Sequence, residues 1–242
     1  MMIYTTLAGD AVTETAYTTK VKGYSPFAYW VLNETSGSTA TEEIDSPNQD
    51  GTYTGVTLNS STGPDGDPVG LWDGTNDVAG IYTATLDGNF DGTEGTLAGW
   101  FKVSGAGVWS DGIGRYFVNL TVDASNNIRC YKWSTVNKLR CEYRAGGTLE
   151  RNELTVSSTG WVHYACTWSV TDDKFITYID GTQTGSINTS IGSFVGSFNS
   201  DEVAIGSFFI ASPGNVWDGY CAHVALWDSP LSAANILDLA TV

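Results

Sequence analysis

Short apolar runs alternate with clusters of turn-forming residues along most of the chain. The runs are rich in Thr, Val, Ile, Tyr, Phe and Trp, which favour strands, and Gly, Asp, Asn, Ser and Pro separate them. They recur about every 8–12 residues, a spacing typical of β sandwiches. We therefore expect an all-β fold with strands over residues 27–32, 51–58, 69–72, 96–103, 116–122, 128–134, 138–144, 161–170, 175–179, 182–187, 202–207 and 217–227.

The turns between these runs carry their own signals. Asp180-Gly181 separates two strand-like runs and predicts a two-residue hairpin. Near the C-terminus, residues 229–237 form the one stretch with helical character. Ser232 is placed to cap that helix, and Ile236 and Leu237 are expected to be buried.

Residues 1–23 differ from the rest of the chain. They are polar and Thr-rich without a firm period, so we interpret them as an arm or a first edge strand. No linker divides the remainder, so residues 24–242 are expected to form one domain. A β-prone arm of this kind could pair with the sheet edge of a neighbouring copy and support a homo-oligomer.

The charge of the chain limits its partners. The 242 residues include 11 Lys and Arg against 27 Asp and Glu, a formal net charge of -16. This charge repels phosphate and argues against nucleic acid as a partner. Glycans, cations and other proteins stay open as partners.

The hydropathy pattern bears on location. No apolar run reaches about 18 residues, so we expect no membrane span. The N-terminus also lacks the basic start and apolar block of a secretory signal. We expect a protein outside the cell or on the surface of a virion, with any signal removed or another route of release.

The four cysteines are Cys130, Cys141, Cys166 and Cys221. No pair has C-x-x-C spacing and only two histidines are present, which argues against zinc. We interpret the cysteines as small apolar residues of the core. Cys130 and Cys141 could face each other across a hairpin, and the sequence leaves their disulfide status open.

Seven segments, in order, resemble laminin-G-like domains of bacteria and phages. They include YSPFAYWVLNETSG (residues 24–37), WDGTND (72–77), TLAGWFK (96–102) and YIDGTQTGS (178–186). The others lie at residues 50–53, 161–165 and 218–232. The resemblance implies a concanavalin A-like jelly-roll sandwich of two antiparallel sheets, one of them concave, with one short C-terminal helix.

Catalysis is the first function to weigh, because the same fold hosts glucanases. Such enzymes need two carboxylates on one strand face. The nearest match, Glu43 and Asp45, lacks a third carboxylate and is followed by Pro47, which argues against a central strand. His163 and His223 lie in apolar strands and are interpreted as structural. We therefore expect no enzymatic activity and keep glycoside hydrolysis as the least favoured alternative.

Calcium is a second possibility that the resemblance raises. Related domains hold calcium through an early acidic loop and an Asp in the closing strand. The loop is present here, with Asp45 and Asp50 as candidate ligands. Ala222 stands where the closing strand should supply an Asp, and its side chain cannot bind a metal. We expect no required cofactor, with calcium as an open alternative.

Sugar binding is the third possibility, since sugars stack on exposed aromatic rings beside polar side chains. Among nine tryptophans, Trp30, Trp72, Trp100, Trp161 and Trp168 are expected in the core, and Trp109, Trp133 and Trp217 are candidates for exposure. The predicted hairpin over residues 128–144 adds Arg129, Arg140 and Arg144 as candidate ligand-binding residues. The alternative, a solvated face of cross-strand ion pairs, is favoured slightly.

These observations favour a noncatalytic module for surface recognition or attachment that binds a glycan or a protein. A virion decoration, fibre or adhesin protein fits them best. A secreted bacterial lectin module is the main alternative. The sequence does not identify the ligand or the oligomeric state.

Overall fold

The computed structural model describes residues 14–242, and every element below lies in that range. In chain order the helices are α1 (Ala16–Gly23), α2 (Ala84–Asn89) and α3 (Ala233–Leu239), with a short 3-10 turn at Ala106–Ser110. The strands are β1 (Ala28–Trp30), β2 (Thr39–Ala40), β3 (Gly51–Thr54), β4 (Thr57–Thr62), β5 (Pro68–Asp73), β6 (Val78–Gly80), β7 (Glu94–Val103), β8 (Arg115–Asp123), β9 (Asn126–Lys132), β10 (Lys138–Ala145), β11 (Thr148–Thr155), β12 (Val162–Ser169), β13 (Lys174–Ile179), β14 (Thr182–Gln183), β15 (Val203–Ile205) and β16 (Asp218–Trp227).

The strands form two antiparallel sheets of eight strands each. Sheet I has the order β14-β13-β12-β7-β16-β5-β4, and β1 also pairs with β16. Sheet II has the order β11-β10-β9-β8-β15-β6-β3-β2. The predicted all-β jelly-roll sandwich is confirmed. No helix among residues 14–242 is both long and apolar enough to cross a membrane.

The main core lies between the two sheets and is dense in aromatic rings. Phe101 of β7 stacks on Phe117 of β8 with ring centroids 4.9 Å apart, which joins sheet I to sheet II. Trp217 packs edge-on against both rings. Such offset and edge-to-face contacts add to the gain from burying large apolar surfaces. All four cysteines are buried, as predicted.

A second apolar layer covers the outer face of sheet I. Tyr17 and Val21 are one helical turn apart on α1, and both are buried there with Ile236 and Leu239 of α3. The prediction of an arm or edge strand is therefore wrong for Ala16–Gly23, because a single apolar stripe suffices to dock a short helix. Residues 1–13 of the predicted arm lie outside the described residues.

The C-terminal helix agrees with its prediction except in one side chain. Ser232 caps α3 by accepting a hydrogen bond from the Asn235 backbone N–H. Ile236 is buried, but Leu237 is 57% exposed and Leu239 takes the buried position. The reason is the helical period, which places residues three apart on the same face.

The local turn chemistry of the Asp180-Gly181 hairpin is confirmed. The φ values of its two residues are 47° and 74°, as a type I′ turn requires.

Strand β11 was not predicted, because its sequence TLERNELT is mostly polar and charged. It forms as a sheet edge through backbone pairing with β10.

A buried polar network fastens α1 to sheet I. His223 lies at a bulge of β16, with a left-handed backbone φ of 52°. Its ring contacts the Tyr29 hydroxyl at 2.6 Å and Asp65 at 3.1 Å. Thr15, the cap of α1, donates to the same Asp65 at 2.9 Å. Burial opposes the ionisation of Asp65, but the neighbouring His223 outweighs it and lowers the pKa of Asp65 to about 2.

Glu42 organises the loop that follows β2. It is fully buried and accepts backbone N–H groups of Tyr29 at 2.7 Å, Ile44 at 3.0 Å and Asp45 at 2.5 Å. Burial raises the pKa of Glu42 even though these N–H groups stabilise its charge. The loop therefore depends on one carboxylate that the sequence did not single out.

We expect Glu42→Gln to lower the free energy of unfolding by about 1–3 kcal/mol, because the amide NH2 would face N–H donors that now bond an oxygen. Urea denaturation measures the loss. The matched control is Glu43→Gln, whose part-exposed side chain contacts Lys22, and its effect should be much smaller. Equal stability of the two variants would contradict this role of Glu42.

The burial of His163 should make the stability of the protein depend on pH. Burial lowers the pKa of His163 to about 3, whereas an unfolded histidine titrates near 6.5. Between these values the unfolded state binds more protons, so the free energy of unfolding falls as the pH drops, by up to about 1.4 kcal/mol per unit. His163→Phe should remove this term. Its urea midpoints at about pH 7 and about pH 4 should then lie closer together than those of the wild type. An unchanged difference would refute the assignment.

Candidate functional site

Two of the three candidate surface tryptophans are core residues. Trp109 is 2% exposed and Trp217 is 0% exposed, so the predicted exposure of both is wrong. Trp217 lies beside Phe101 and Phe117 between the sheets, and Trp109 donates its ring N–H to the Ser158 carbonyl at 2.8 Å. A tryptophan in a loop-like sequence can still fill the end of a core, because burial depends on what the loop folds onto. Trp133 is half-exposed.

The core prediction held for most of the other tryptophans. Trp30, Trp72, Trp100 and Trp168 are buried. Trp161 is instead half-exposed, packs beside Tyr220 and donates its ring N–H to the Thr62 carbonyl. It sits one residue before β12, where the strand has not yet entered the sandwich.

The solvent face of sheet II carries the predicted polar hairpin. Strand register places side chains in two cross-strand rows on this face, Tyr116–Tyr131–Arg140–Glu153 and Asn119–Arg129–Glu142–Arg151. Neighbouring side chains within a row lie close enough to interact. The predicted hairpin supplies Arg129 and Arg140 to these rows, whereas Tyr116 and Asn119 come from β8, outside that hairpin.

An aromatic ladder crosses the same face. We use this name for Trp133, Tyr131, Tyr116, Phe208 and Phe209, in spatial order. The successive ring centroids are 6.0, 4.6, 5.0 and 4.5 Å apart. Tyr131 is buried by its neighbours, whereas Trp133, Tyr116 and Phe208 are half-exposed and Phe209 is exposed. The ladder thus offers a continuous aromatic strip at the protein surface.

Arginine side chains lie against two rings of the ladder. The Arg140 guanidinium carbon is 3.7 Å from the ring centroid of Trp133, and that of Arg129 is 4.8 Å from Phe208. Such stacking fixes the guanidinium plane and leaves its edge for hydrogen bonds. Each of the two places therefore combines an apolar ring with charged donors.

An ion pair holds Arg140 in place, and hydrogen bonds to neutral side chains hold Arg129. Arg140 makes two hydrogen bonds to one carboxylate oxygen of Glu153, at 3.0 and 2.8 Å. Arg129 donates to Asn119 at 2.9 Å and to Thr121 at 3.0 Å. Cross-strand ion pairs are therefore present, as the favoured alternative predicted, and on the same face as the aromatic strip. Because these side chains are already held in one conformation, they would lose less conformational entropy when a ligand contacts them.

Arg144 differs from the other arginines of this face. Among the described residues it forms no ion pair, and its guanidinium donates to the Ala124 carbonyl at 3.4 Å. It is half-exposed. Its donors are the freest on this face for an outside acceptor.

Buried polar groups stiffen the middle of the ladder. The Tyr131 hydroxyl donates to Glu142 at 2.5 Å, and Arg151 lies 3.4 Å from the same carboxylate oxygen. Burial, followed by the charge of Glu142, raises the pKa of Tyr131 far above its ordinary value. The raised pKa keeps the Tyr131 hydroxyl protonated, and therefore a hydrogen-bond donor to Glu142, near neutral pH.

The outer face of sheet I offers no comparable surface in the described residues. Helices α1 and α3 bury most of its aromatic side chains, including Trp100 and Trp227. Trp100 donates its ring N–H to the Tyr17 hydroxyl of α1 at 2.8 Å. The half-exposed rings beside this layer include the pair Trp161 and Tyr220, whereas the ladder on sheet II joins five rings.

A cavity of about 480 Å³ lies at the rim near the start of α1. Its walls include Glu34, Glu43 and Asp67, and no aromatic side chain lines it. These carboxylates already accept hydrogen bonds within the protein: Glu34 from Tyr53 at 2.7 Å, for example, and Glu43 from Lys22 at 2.7 Å. The cavity lacks the rings that a sugar would stack on.

The two predicted calcium ligands lie in the turn after Glu42. Asp50 accepts the Glu42 backbone N–H at 2.9 Å and the Ser46 hydroxyl at 3.2 Å, and Asp45 accepts Asn48 at 3.0 Å. Residues 14–242 contain no group of three or more His, Cys, Asp or Glu side chains placed to share a metal ion. The calcium site therefore stays a prediction.

The candidate catalytic carboxylates are not arranged on a sheet face. Glu43 pairs with Lys22 and Asp45 belongs to a turn, both outside the strands. His163 and His223 are buried, and His223 belongs to the network under α1.

Sequence reasoning missed Tyr116, Phe208 and Phe209. Tyr116 precedes the core residue Phe117, so the alternation of a strand already assigns it to the opposite face. Phe208 and Phe209 form a pair of apolar rings in a Gly- and Ser-containing loop. An aromatic pair in such a loop was the available signal, although the contact of Phe208 with Tyr116 depends on the fold.

Comparison of the sequence with family models gives one match. The model of the concanavalin A-like lectin/glucanase superfamily matches residues 73–237, more than half of the chain. The chain belongs to this superfamily. The resemblance found in the seven sequence segments is thereby confirmed. No curated protein sequence matches the chain.

Solved structures with the same fold are distant in sequence. Domain 4 of AbnA, a GH43 extracellular arabinanase from Geobacillus stearothermophilus, in complex with arabinotriose, has a TM-score of 0.57 at 14% identity, over 89% of this chain and 98% of that chain. The CBM40 of Ruminococcus gnavus IT-sialidase has a TM-score of 0.56 at 10% identity, over 70% of this chain and 95% of that chain. The botulinum neurotoxin serotype D binding domain has a TM-score of 0.59 at 9% identity, over 89% of this chain and 51% of that chain. At these identities the likeness establishes the fold alone.

The calcium prediction has a direct test. If Asp45 and Asp50 bind calcium, then millimolar CaCl2 should raise the melting temperature above its value in EDTA, because a ligand that binds only the native state stabilises it. An Asp45→Asn/Asp50→Asn double variant should lose that difference. Identical melting temperatures of the wild type in calcium and in EDTA would count against a site.

Proposed function

We propose that this protein is a noncatalytic glycan-binding module and that the aromatic ladder on the solvent face of sheet II is its binding surface. The ladder itself carries the proposal: each of its rings contacts the next, and all but the buried Tyr131 are accessible. Arginine donors lie over Trp133 and over Phe208. Sugar rings present apolar C–H faces and a rim of hydroxyls. Aromatic faces and fixed hydrogen-bond donors complement these two features.

The neighbouring folds support the proposal without deciding it. The arabinanase domain was solved with arabinotriose, and the CBM40 is part of a sialidase. Both are domains attached to enzymes. A noncatalytic role for this chain agrees with the position of Glu43 and Asp45 in a loop rather than on a sheet face.

The location of the protein is also a proposal. A surface glycan would be met outside the cell, so we place the module there, as a secreted lectin-like module or on a virion as a decoration, fibre or adhesin protein. Mass spectrometry of purified virus particles and of secreted fractions separates these two locations. Association of copies through the predicted arm stays a prediction for residues 1–13, which lie outside the described residues, and light scattering of the full chain tests it.

Glycan-array screening followed by calorimetry with the best oligosaccharide tests the binding surface. We expect Trp133→Ala to weaken binding by at least about tenfold, because truncation of an anchoring tryptophan at an interface costs about 2 kcal/mol or more and about 1.4 kcal/mol is tenfold. Arg140→Ala should weaken it as well. Both variants should keep the melting temperature within a few degrees, since their side chains lie on the surface.

Trp161→Ala is the matched control, because Trp161 is also half-exposed but lies away from the ladder, beside Tyr220. It should bind as the wild type does. Equal losses in Trp133→Ala and Trp161→Ala, or full binding by Trp133→Ala, would refute the ladder as the site. An array without hits, together with capture of a protein partner that Trp133→Ala abolishes, would move the function from glycan to protein recognition.

A further inference from the structure

Two cysteines face each other directly beneath the aromatic ladder. Cys130 of β9 and Cys141 of β10 are register partners in adjacent antiparallel strands. Their Sγ atoms are 2.8 Å apart, and both side chains are fully buried in the core. Directly opposed residues of an antiparallel pair have Cα atoms about 4.5–5.5 Å apart, within the range of about 4.4–6.8 Å that a disulfide spans.

We propose that Cys130 and Cys141 form a cross-strand disulfide when the chain folds in an oxidising environment. The oxidant is a small-molecule disulfide such as oxidised glutathione. The two cysteines lose their S–H hydrogens and form one S–S bond. The small disulfide takes up the two electrons and two protons and leaves as two thiols, so the exchange is balanced.

The bond forms while the hairpin assembles. In the folded protein the thiols are shielded from solvent, and burial raises the pKa of both Cys130 and Cys141 well above the ordinary value. Since the thiolate is the reactive form, the folded dithiol reacts slowly with an outside oxidant. During folding the same thiols are still exposed, and strand pairing then brings them together.

Cys166 is the competing partner. Its Sγ lies 4.0 Å from that of Cys130, but Cys166 belongs to β12 of sheet I, so this bond would have to link the two sheets. Stacked sheets lie about 10 Å apart, and closing the gap would strain the core between them. The pair within sheet II needs no such movement. Cys221 has no sulfur contact among the described residues.

The position of the bond matters for the surface above it. Cys130 lies between Arg129 and Tyr131, and Cys141 lies between Arg140 and Glu142. A covalent link at this point fixes the register of β9 against β10. It therefore also fixes the position of Tyr131 of the ladder opposite Arg140 in their cross-strand row.

Refolding and peptide mapping test the proposal independently of any glycan. The full chain is unfolded and reduced, refolded with reduced and oxidised glutathione, alkylated under denaturing conditions and digested with trypsin. We expect the intact protein to lose the mass of two hydrogens. We also expect one linked peptide pair, Cys130–Lys132 with Cys141–Arg144.

The digest separates the alternatives, because Cys166 lies in the peptide 152–174 and Cys221 in 175–242. Four alkylated cysteines, or a link from Cys130 to the 152–174 peptide, would overturn the proposal. The oxidised protein should have a higher urea midpoint than the reduced protein. Cys221→Ser should keep both the link and this difference, whereas Cys141→Ser should lose both. If Cys141→Ser fails to fold, the map of the wild type still decides the outcome.

Discussion

The burial of both faces of sheet I is the constraint on which the rest of this structure depends. Its central strands β7 and β12 are buried along nearly their whole length, so one face must pack on sheet II and the other must be covered. Helices α1 and α3 provide that cover. Because apolar surface of this extent cannot remain in water, the central part of sheet I needs this cover, and the aromatic ladder lies on the outer face of sheet II.

The cover is fixed by polar contacts as well as by apolar burial. His223 occupies a bulge in the central strand β16, and the bulge turns its ring outward between Tyr29 and Asp65. Asp65 in turn holds the cap of α1. Non-directional burial would let a short helix slide, whereas this chain of directional contacts specifies one position.

Among the described residues, the outer face of sheet II has no covering helix, in contrast to the outer face of sheet I. Its side chains are polar and aromatic, and they are held by each other rather than by a covering layer. Arginines stack on Trp133 and Phe208 of the ladder, while carboxylates such as Glu153 orient the guanidinium groups. A surface held in this way would lose little conformational entropy on binding the proposed glycan.

Local periodicity and turn chemistry were enough to predict most strands, the Asp180-Gly181 hairpin and the Ser232 cap, and the ordered motifs were enough to predict the superfamily. The same pattern grouped Arg129 and Arg140 on one hairpin. The folded chain was needed to show that Trp109 and Trp217 are buried, that α1 is a covering helix, and that Phe208 reaches Tyr116. Those outcomes depend on which distant segments meet, and a loop residue is buried or exposed according to its neighbours in space rather than in sequence.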